Sequence, residues 1–222
     1  MDQLINEIPY PSQHYFYLPI KRFLDVSLCL LILPLALIPM IVIGLLIMFD
    51  SPGPALFIQE RIGKNGERFR IFKYRTMQHR ADNTHANAFM QAFVNGEVDC
   101  QQGAIFKPPQ SPQKITRIGC ILRKTSMDEL PQIFNVLRGD MSLIGPRPNM
   151  PCEVEVYKEW HKRRLQVAPG ITGLAQINGR SSIPFDQIVK YDLEYIENLS
   201  LWLDLKILVQ TFLIVCLRKG AL

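Results

Sequence analysis

Carboxylates, basic groups and glycines are concentrated between residues 117 and 148, and this segment is the one best suited to chemistry. Asp128 and Glu129 are adjacent within it, and Ser126 stands three residues before Glu129, which is the S-x-x-E spacing of a capping box. The spacing predicts a helix that begins at Ser126 and holds Asp128 in its first turn. Free N–H groups and the helix dipole favour an ionised carboxylate there, and the same position can receive a phosphate. Glu129 is therefore either a capping residue or part of a site.

Pro131 and Arg147 are two further residues of this segment with predictable effects. Pro131 falls at the fifth position of the predicted helix, where it removes a backbone hydrogen bond, so the first turn is predicted to be irregular. Arg147 stands between two prolines in the sequence GPRP at 145–148, which presents its guanidinium stiffly. A guanidinium can donate two hydrogen bonds to one phosphate. The pattern predicts a phosphate-binding arginine, and the alternative is that Arg147 caps carbonyls or pairs with a surface acid.

An uncharged apolar run of 24 residues, Val26–Phe49, is the strongest pattern outside that segment. As a helix at about 1.5 Å per residue it would reach roughly 36 Å, enough to cross a bilayer. Pro34 and Pro39 lie inside it, and a break at Ile38–Pro39 would leave two half-helices, each too short to span. The run begins too far from the first residue for a cleaved signal peptide, so it is predicted to remain as a membrane anchor.

Basic residues flank the run on both sides. Lys21 and Arg22 precede it, and seven more follow it: Arg61, Lys64, Arg68, Arg70, Lys73, Arg75 and Arg80. The positive-inside tendency then places both ends in the cytoplasm, which a single crossing cannot satisfy. We therefore expect a re-entrant membrane segment with its bend at Ile38–Pro39, and a kinked spanning helix is the alternative.

The remainder of the chain predicts a small cytosolic catalytic head of the mixed α/β class, mostly helical. Residues 51–77 predict a strand hairpin that turns at 64–66, with the cations of residues 68–75 on one face. Residues 81–114 are polar and then rich in proline and glutamine, which is typical of a loop.

The C-terminal apolar stretch, residues 199–217, contains a tryptophan and few charges. It predicts either a core helix or an amphipathic helix that lies in the headgroup region. The expected organisation is an N-terminal extension (1–20), a membrane anchor (21–50) and a cytosolic domain (51–222) that ends in this helix.

Composition excludes several classes of protein. The chain has 222 residues, of which 48% are hydrophobic and 20% charged, and a net charge of +5, which excludes a disordered polyanion-binding tail and a multi-pass membrane protein. The five cysteines form no C-x-x-C pair and are predicted to be reduced thiols, and zinc is not expected. No nucleic-acid module is recognised, so no nucleic-acid partner is expected. A basic peripheral protein that binds nucleic acid or anionic lipid is nevertheless one alternative function.

Five ordered motifs carry a family resemblance. In chain order they are Lys21-Arg22 with Asp25, FKYRTM at 72–77, LRKTSMDELPQIFNVLRGDMSLIGPRP at 122–148, PGITGLAQINGR at 169–180 and YDLEYIENLSLWLDLKI at 191–207. Together they resemble the bacterial sugar transferase family, the monotopic phosphoglycosyl transferases, over nearly all of residues 20–217. That family commonly has Ser-Pro at the bend of its re-entrant helix, where this chain has Ile38-Pro39.

The resemblance implies an enzyme that transfers a sugar 1-phosphate from a nucleotide-diphosphate sugar, usually a UDP-sugar, to a polyprenol phosphate such as undecaprenyl phosphate. The products would be a polyprenyl-diphosphate sugar and UMP, in the first membrane step of bacterial glycoconjugate synthesis. The enzyme would be bound to the lipid bilayer on the cytoplasmic face of the bacterial inner membrane. A homodimer is left open, and the alternative function is a catalytically silent membrane-anchored scaffold.

The resemblance also implies roles for single residues. Asp128 would be the nucleophile that forms a covalent phosphosugar intermediate, and Glu129 would help to hold Mg²⁺. Asp140 would be either a further contributor to the metal or a turn-capping residue. Lys73, Arg123 and Arg147 match family positions in or beside the phosphate site. Arg75 and Arg180 complete the expected substrate- and phosphate-binding set, and the alternative for the segment of Arg180 is an ordinary structural turn. The transferred sugar cannot be read from the sequence.

Overall fold

The computed structural model describes residues 16–78, 84–98, 115–179 and 183–216. Its α-helices are α1 Tyr17–Asp50, α2 Thr84–Asn95, α3 Arg117–Thr125, α4 Gln132–Arg138, α5 Pro151–Val154, α6 Glu159–Lys162, α7 Leu174–Asn178, α8 Phe185–Glu197 and α9 Leu201–Cys216. Its strands are β1 Leu56–Ile62, β2 Arg68–Tyr74, β3 Ser142–Ile144 and β4 Gly170–Thr172. β1 pairs with β2 antiparallel, and β3 pairs with β4 parallel. The fold is mixed and mostly helical, as predicted; the described residues after 50 are named the head.

Helix α1 packs against the head at both of its ends. Its buried residues recur about every four positions, as one helical face requires: Tyr17, Lys21, Asp25, Cys29, Ala36, Met40, Ile43 and Ile47. At one end Tyr17 shares a core cluster with Ile207 of α9. At the other end Ile47 shares a core cluster with Tyr74 of β2. The two ends of the long helix are therefore held by the same head.

The opposite face of α1 is apolar and exposed. Ile38 is 72% exposed and Phe49 is 87% exposed. Within the described ranges, α1 is the one helix that is long and apolar enough to cross a membrane. A surface of this kind fits lipid better than water, which supports the predicted membrane anchor. However, α1 runs unbroken through Pro34 and Pro39, so the two predicted half-helices are not seen and the re-entrant topology stays a prediction.

The proline region of α1 is attached to the hairpin by Tyr74. Its hydroxyl donates a hydrogen bond of 2.6 Å to the carbonyl oxygen of Met40, one residue after Pro39. A proline removes the bond to the carbonyl four residues before it, so Pro39 frees the carbonyl of Leu35, and the bond to Met40 does not replace it. Tyr74 ties the turn after Pro39 to the neighbouring strand.

Arg75 caps the C-terminus of α1. Its guanidinium donates to the carbonyl oxygens of Ile47, Ser51 and Pro52 at 3.4, 2.7 and 2.6 Å. The last carbonyls of a helix have no partners within the helix, and a buried arginine satisfies them here. Both Nη atoms of Arg75 therefore bond backbone carbonyls, and these bonds give no support to its predicted place in the phosphate-binding set, which stays a prediction.

The hairpin of β1 and β2 confirms the predicted turn at 64–66, where Asn65 takes a left-handed φ of 56°. The prediction that the cations share one face is wrong, because side chains alternate along a strand. Arg68 and Arg70 are exposed. Lys73 lies on the other face, and its side chain is only 15% exposed.

Asn135 of α4 is fully buried and joins this helix to the hairpin. Its Oδ1 accepts the backbone N–H of Phe72 at 3.0 Å, and its Nδ2 donates to the carbonyl of Arg70 at 2.7 Å and to Asp140 Oδ2 at 3.1 Å. One side chain therefore sets the position of α4 along β2, which places the segment before α4 beside Lys73. Asp140 bonds within the turn after α4, which favours its turn-capping role.

Helix α9 has an apolar outer face. Trp202 is 75% exposed and Phe212 is 67% exposed. On its inner face, Asp204 accepts hydrogen bonds from Tyr17 Oη at 2.7 Å and Lys21 Nζ at 2.9 Å, which ties α9 to the start of α1. An exposed apolar face suits a helix in the headgroup region and does not suit a core helix.

Candidate active site

Asp128 and Glu129 lie in a 3₁₀ turn, Met127–Glu129, and not at the start of an α-helix. Ser126, directly after α3, takes a left-handed φ of 56°, which is uncommon for serine, and its side chain makes no capping bond. The predicted capping box and the predicted helix start at Ser126 are therefore wrong. The physical reason is Pro131, which cannot donate inside a helix and instead directly precedes α4. The irregular first turn expected from this proline is confirmed.

Glu129 is the centre of a cluster of opposite charges. Lys73 Nζ donates to its Oε1 at 2.9 Å, and Arg147 donates to the same oxygen through Nη1 and Nη2 at 3.2 Å each. Asp128 is adjacent and interacts electrostatically with both cations. These four residues are named the open cluster, because the Arg147 side chain is 51% exposed. Residues that are far apart in the sequence are thus brought to one place.

The charge state of Glu129 follows from its two partners. Burial opposes ionisation, but Lys73 and Arg147 outweigh it and hold the pKa of the Glu129 carboxyl at about 2. The carboxylate is therefore ionised at neutral pH. Burial lowers the pKa of Lys73, with Glu129 opposing, and the charge of Glu129 raises the pKa of Arg147.

Asp128 has a different electrostatic environment from its neighbour. Burial first, and then the negative charge of Glu129, raise the pKa of the Asp128 carboxyl, while Lys73 and Arg147 oppose the rise. Two adjacent carboxylates whose pKa values are pushed apart are typical of a site in which they have separate roles. Glu129 is suited to holding cations, and the ionised form of Asp128 is the less stabilised of the two carboxylates.

The backbone of the loop that carries Arg147 is held by two other arginines of the head. Arg164 Nη2 donates to the carbonyl of Arg147 at 3.1 Å, and Arg61 Nη1 donates to the carbonyl of Pro148 at 3.3 Å. The loop also packs tightly at Gly145, where a Cβ would lie 2.4 Å from a backbone oxygen of the neighbouring segment. The backbone is therefore immobilised while the guanidinium of Arg147 faces outward.

Arg164 belongs to a second set of charged and polar groups, which is buried. It pairs with Asp192 at 2.6 Å, and their side chains are 2% and 1% exposed. Its Nη1 also donates to Tyr157 Oη at 2.8 Å and to Asn149 Oδ1. Asn149 in turn donates to Glu153 at 2.8 Å. These five residues are named the closed cluster, and they support the loop of Arg147 from within the head.

The remaining predicted binding residues are not all in the open cluster. Arg123 lies on α3, shortly before the turn, and its Nε donates to Thr76 Oγ1 at 3.0 Å. Arg75 caps α1, as described above. Arg180 lies outside the described residues.

Sequence reasoning missed the residues that position the site: Asn135, Arg61 and Arg164. Asn135 bonds to Phe72 across a sequence separation of 63, and no local motif marks it. In the sequence, Arg61 counts only as a cation that flanks the apolar run, and Arg164 only as part of the basic composition. Their bonds to backbone carbonyls of a distant loop leave no local pattern.

The oxygen donors of the open cluster fit Mg²⁺. The three hydrogen bonds that Glu129 accepts from cations all end on Oε1, so Oε2 is its candidate metal ligand. Mg²⁺ is commonly held by one or two protein carboxylates together with substrate phosphates and water. Within the part of the chain that is described, no group of three or more His, Cys, Asp or Glu side chains forms a metal site. Mg²⁺ stays a prediction that depends on the substrate's phosphates.

Several known proteins are similar in sequence to this chain. Residues 16–218 match the family described as bacterial sugar transferase. The chain is 42% identical over 214 residues to the galactosyl transferase CpsE of Streptococcus agalactiae, covering 93% of this chain and 44% of CpsE. It is 36% identical over 202 residues to the exopolysaccharide production protein ExoY of Sinorhizobium fredii, covering 90% of this chain and 87% of ExoY. It is 39% identical over 199 residues to the UDP-glucose:undecaprenyl-phosphate glucose-1-phosphate transferase of Caulobacter vibrioides, covering 86% of this chain and 67% of that relative.

The chain belongs to the bacterial sugar transferase family, which confirms the resemblance carried by its motifs and the expected enzyme class, a transferase. It spans less than half of CpsE, 44%, and most of ExoY, 87%. The names of two relatives specify different sugars, galactose and glucose, at identities of 42% and 39%. Overall identity therefore does not identify the sugar.

Proposed function

We propose that the protein transfers a sugar 1-phosphate from a UDP-sugar to undecaprenyl phosphate or a similar polyprenol phosphate. The observation that carries this proposal is the open cluster, in which Asp128 stands beside a carboxylate held by Lys73 and Arg147. The name of the Caulobacter relative, a UDP-glucose:undecaprenyl-phosphate glucose-1-phosphate transferase, supports both substrate classes. The products would be a polyprenyl-diphosphate sugar and UMP.

In the first step, a carboxylate oxygen of Asp128 attacks the phosphorus that carries the sugar. The bond from this phosphorus to the bridging oxygen of the pyrophosphate breaks, and UMP leaves with the electron pair. The sugar phosphate is then joined to Asp128 as a mixed anhydride. A covalent intermediate of this kind divides one difficult transfer into two steps.

In the second step, a phosphate oxygen of the polyprenol phosphate attacks the same phosphorus. The bond to Asp128 breaks, the carboxylate is restored, and the new diphosphate remains on the lipid. Neither step requires a proton to be moved, so the main task of the site is to neutralise negative charge. Lys73 and Arg147 are placed for this task, and bound Mg²⁺ would add to it by screening the phosphates.

Lys73 and Arg147 both donate hydrogen bonds to Glu129, so two positive charges are already present where an incoming anion would bind. The exposed guanidinium of Arg147 can bond a phosphate through two N–H groups while its backbone stays fixed by Arg164. Glu129 is then the oxygen donor that is left to a metal. This exchange of partners accounts for a pair of cations on one carboxylate oxygen in the free protein.

The apolar surfaces suggest where the reaction takes place. We place α1 and α9 in the cytoplasmic leaflet of the inner membrane, with the head on the cytoplasmic face. Met127, the residue before Asp128, is 44% exposed, so the turn itself carries an apolar side chain to the surface. An open cluster at the bilayer surface would meet the phosphate of a lipid acceptor without extracting the lipid.

Incubation with Mg²⁺, undecaprenyl phosphate and a panel of UDP-sugars tests the function. We expect UMP release and a lipid-linked sugar diphosphate, both detected by mass spectrometry, with at least one donor. Asp128→Asn should abolish both, whereas the control Glu194→Gln, at an exposed carboxylate of α8, should leave them unchanged. Absence of product with every UDP-sugar, or an active Asp128→Asn protein, would refute the proposal.

A further inference from the structure

An apolar cavity of about 460 Å³ lies between α1, the hairpin and the start of α4. Its walls include Met40 and Gly44 of α1, Phe72 of β2, and Pro131 and Phe134 at the start of α4. Its volume is in the range of small-molecule sites, about 300–1,000 Å³. A cavity of this size near the open cluster can hold part of a ligand.

The lining of the cavity has no polar group that is left to a ligand. Tyr74 is the lining residue with a polar side-chain atom, and its hydroxyl is bonded to the carbonyl of Met40 at 2.6 Å. The occupant that this chemistry recognises is therefore a hydrocarbon. A nucleotide or a sugar would leave its hydrogen-bonding groups without partners there.

The cavity is open on the side where the surface is apolar. Four of its lining residues remain 39% to 56% exposed: Leu37, Ile41, Leu56 and Phe134. Two of these belong to the membrane anchor α1. A hydrocarbon can therefore reach the cavity from the lipid phase.

The cavity also adjoins the open cluster along the chain. Phe72 immediately precedes Lys73, and Pro131 is two residues after Glu129, at about 3.8 Å per residue between Cα atoms. The pleat of β2 directs Phe72 and Lys73 to opposite faces, so Pro131, which lines the cavity, is the lining residue that follows the Asp128–Glu129 turn most closely. Cations at one end and an apolar space beyond Pro131 complement an amphiphile with an anionic head and a hydrocarbon tail.

We propose that this cavity binds the first isoprene units of the polyprenol phosphate acceptor, with the phosphate at Lys73 and Arg147. The inference rests on the proposed function and adds to it the place of the lipid chain. It assigns the walls formed by Gly44 and Ala55 a role in acceptor binding, because their small side chains leave the space open. A Cβ on Gly44 would meet Ala55 Cβ at 3.9 Å, so a small addition fits and a larger side chain enters the cavity.

Filling the cavity tests the proposal. In the full chain in lipid nanodiscs, Gly44→Leu should raise the KM for undecaprenyl phosphate by about tenfold or more, as a misfitting group in an apolar pocket does. UMP release in a single turnover without acceptor should stay at the wild-type level, because the donor does not use the cavity. The control Leu45→Phe adds bulk on the exposed face of the same helix and should change neither quantity.

A second measurement does not depend on turnover or on the folding of a cavity variant. The Asp128→Asn protein is irradiated with a polyprenyl phosphate that carries a photoreactive group on its first isoprene unit. Crosslinks at Met40 or Phe134 are expected, and crosslinks at Trp202 of α9 or spread over the outer face of α1 would overturn the proposal.

The outcomes separate the two proposals. If the wild type transfers no sugar phosphate with any donor, the proposed function fails and the assigned acceptor loses its basis. If transfer proceeds while Gly44→Leu keeps the wild-type KM, the function stands and the cavity is not the place of the chain.

Discussion

The open and closed clusters are built from the same kinds of residue and differ in what surrounds them. In the closed cluster, Arg164 and Asp192 are 2% and 1% exposed, and Arg164 is further bonded to Tyr157 and Asn149. In the open cluster, two cations converge on a single carboxylate oxygen, and Arg147 is half exposed. Both clusters are paired, and they differ in access: Arg164 and Asp192 are closed off from solvent, whereas Arg147 can be reached by a phosphate, as the proposed function requires.

The two clusters are nevertheless connected through one loop. Arg164 donates to the backbone carbonyl of Arg147, so the closed cluster fixes the loop from which the open cluster takes its exposed cation. A change in the closed cluster should therefore lower mainly the free energy of unfolding, and a change at Arg147 should lower mainly the rate of transfer.

The largest effect on stability is expected from Asp192→Ala in the closed cluster. Removal of one partner leaves Arg164 buried and unpaired, which costs about 3–5 kcal/mol in the free energy of unfolding. Chemical unfolding of the detergent-solubilised protein measures it. The control Glu194→Gln, at an exposed carboxylate of α8, should change the free energy by less than about 1 kcal/mol. A loss below about 1 kcal/mol for Asp192→Ala would contradict the structural role of this cluster.

The second effect concerns activity at Arg147. Arg147→Ala removes a fixed cation from the phosphate site and should lower kcat by about 10²- to 10³-fold, the usual cost of one transition-state donor. The free energy of unfolding should fall by no more than about 1 kcal/mol, because Arg147 is half exposed and Glu129 keeps Lys73 as a partner. Arg147→Lys should restore part of the rate, since it keeps the charge and loses the planar pair of donors. A large loss of stability with an unchanged rate would reverse the assignment of the two clusters.

The third effect is a dependence of stability on pH at Glu129. Its pKa in the folded protein is about 2, below its ordinary value of 4.5, so the unfolded chain binds more protons in this interval. The stability that Glu129 contributes is therefore present above about pH 4.5 and is lost as the pH falls toward 2. Glu129→Gln should flatten the curve of unfolding free energy against pH in this window, and equal slopes for the two proteins would contradict the role of Lys73 and Arg147.

The smallest effect is expected at an ion pair outside both clusters. Arg68 and Glu60 lie on the hairpin at 3.4 Å, with side chains 64% and 48% exposed. Glu60→Gln should change the free energy of unfolding by about 0–1 kcal/mol and leave the rate of transfer unchanged, because water screens the pair. A rate loss comparable to that of Arg147→Ala would extend the functional surface to the hairpin.

The sequence predicted the parts of the molecule that depend on local patterns. The uncharged run Val26–Phe49 became the apolar helix α1, the turn at 64–66 became a hairpin, and the Asp128–Glu129 pair was found beside Arg147. The first two features follow from composition and turn chemistry within a short stretch, and the third follows from the motif at 122–148 and the family resemblance that it carries.

The parts that could not be predicted depend on contacts between distant residues. Lys73 meets Glu129 across a separation of 56, and which face of β2 would turn to Glu129 is decided by the packing of α4. Arg75 looked like a phosphate ligand, and only the position of the end of α1 shows that it caps carbonyls. At Ser126 the local pattern was misleading, because the cost of Pro131 inside a helix outweighs a capping box.

Intact-mass analysis of the protein with Mg²⁺ and a UDP-sugar in the absence of acceptor tests whether Asp128 is the nucleophile. We expect a mass increase of one sugar phosphate, mapped to Asp128 by peptide analysis, lost on addition of undecaprenyl phosphate and absent from Asp128→Asn. UMP formation only in the presence of acceptor, with no adduct trapped at Asp128, would contradict it and would indicate direct transfer between the two substrates.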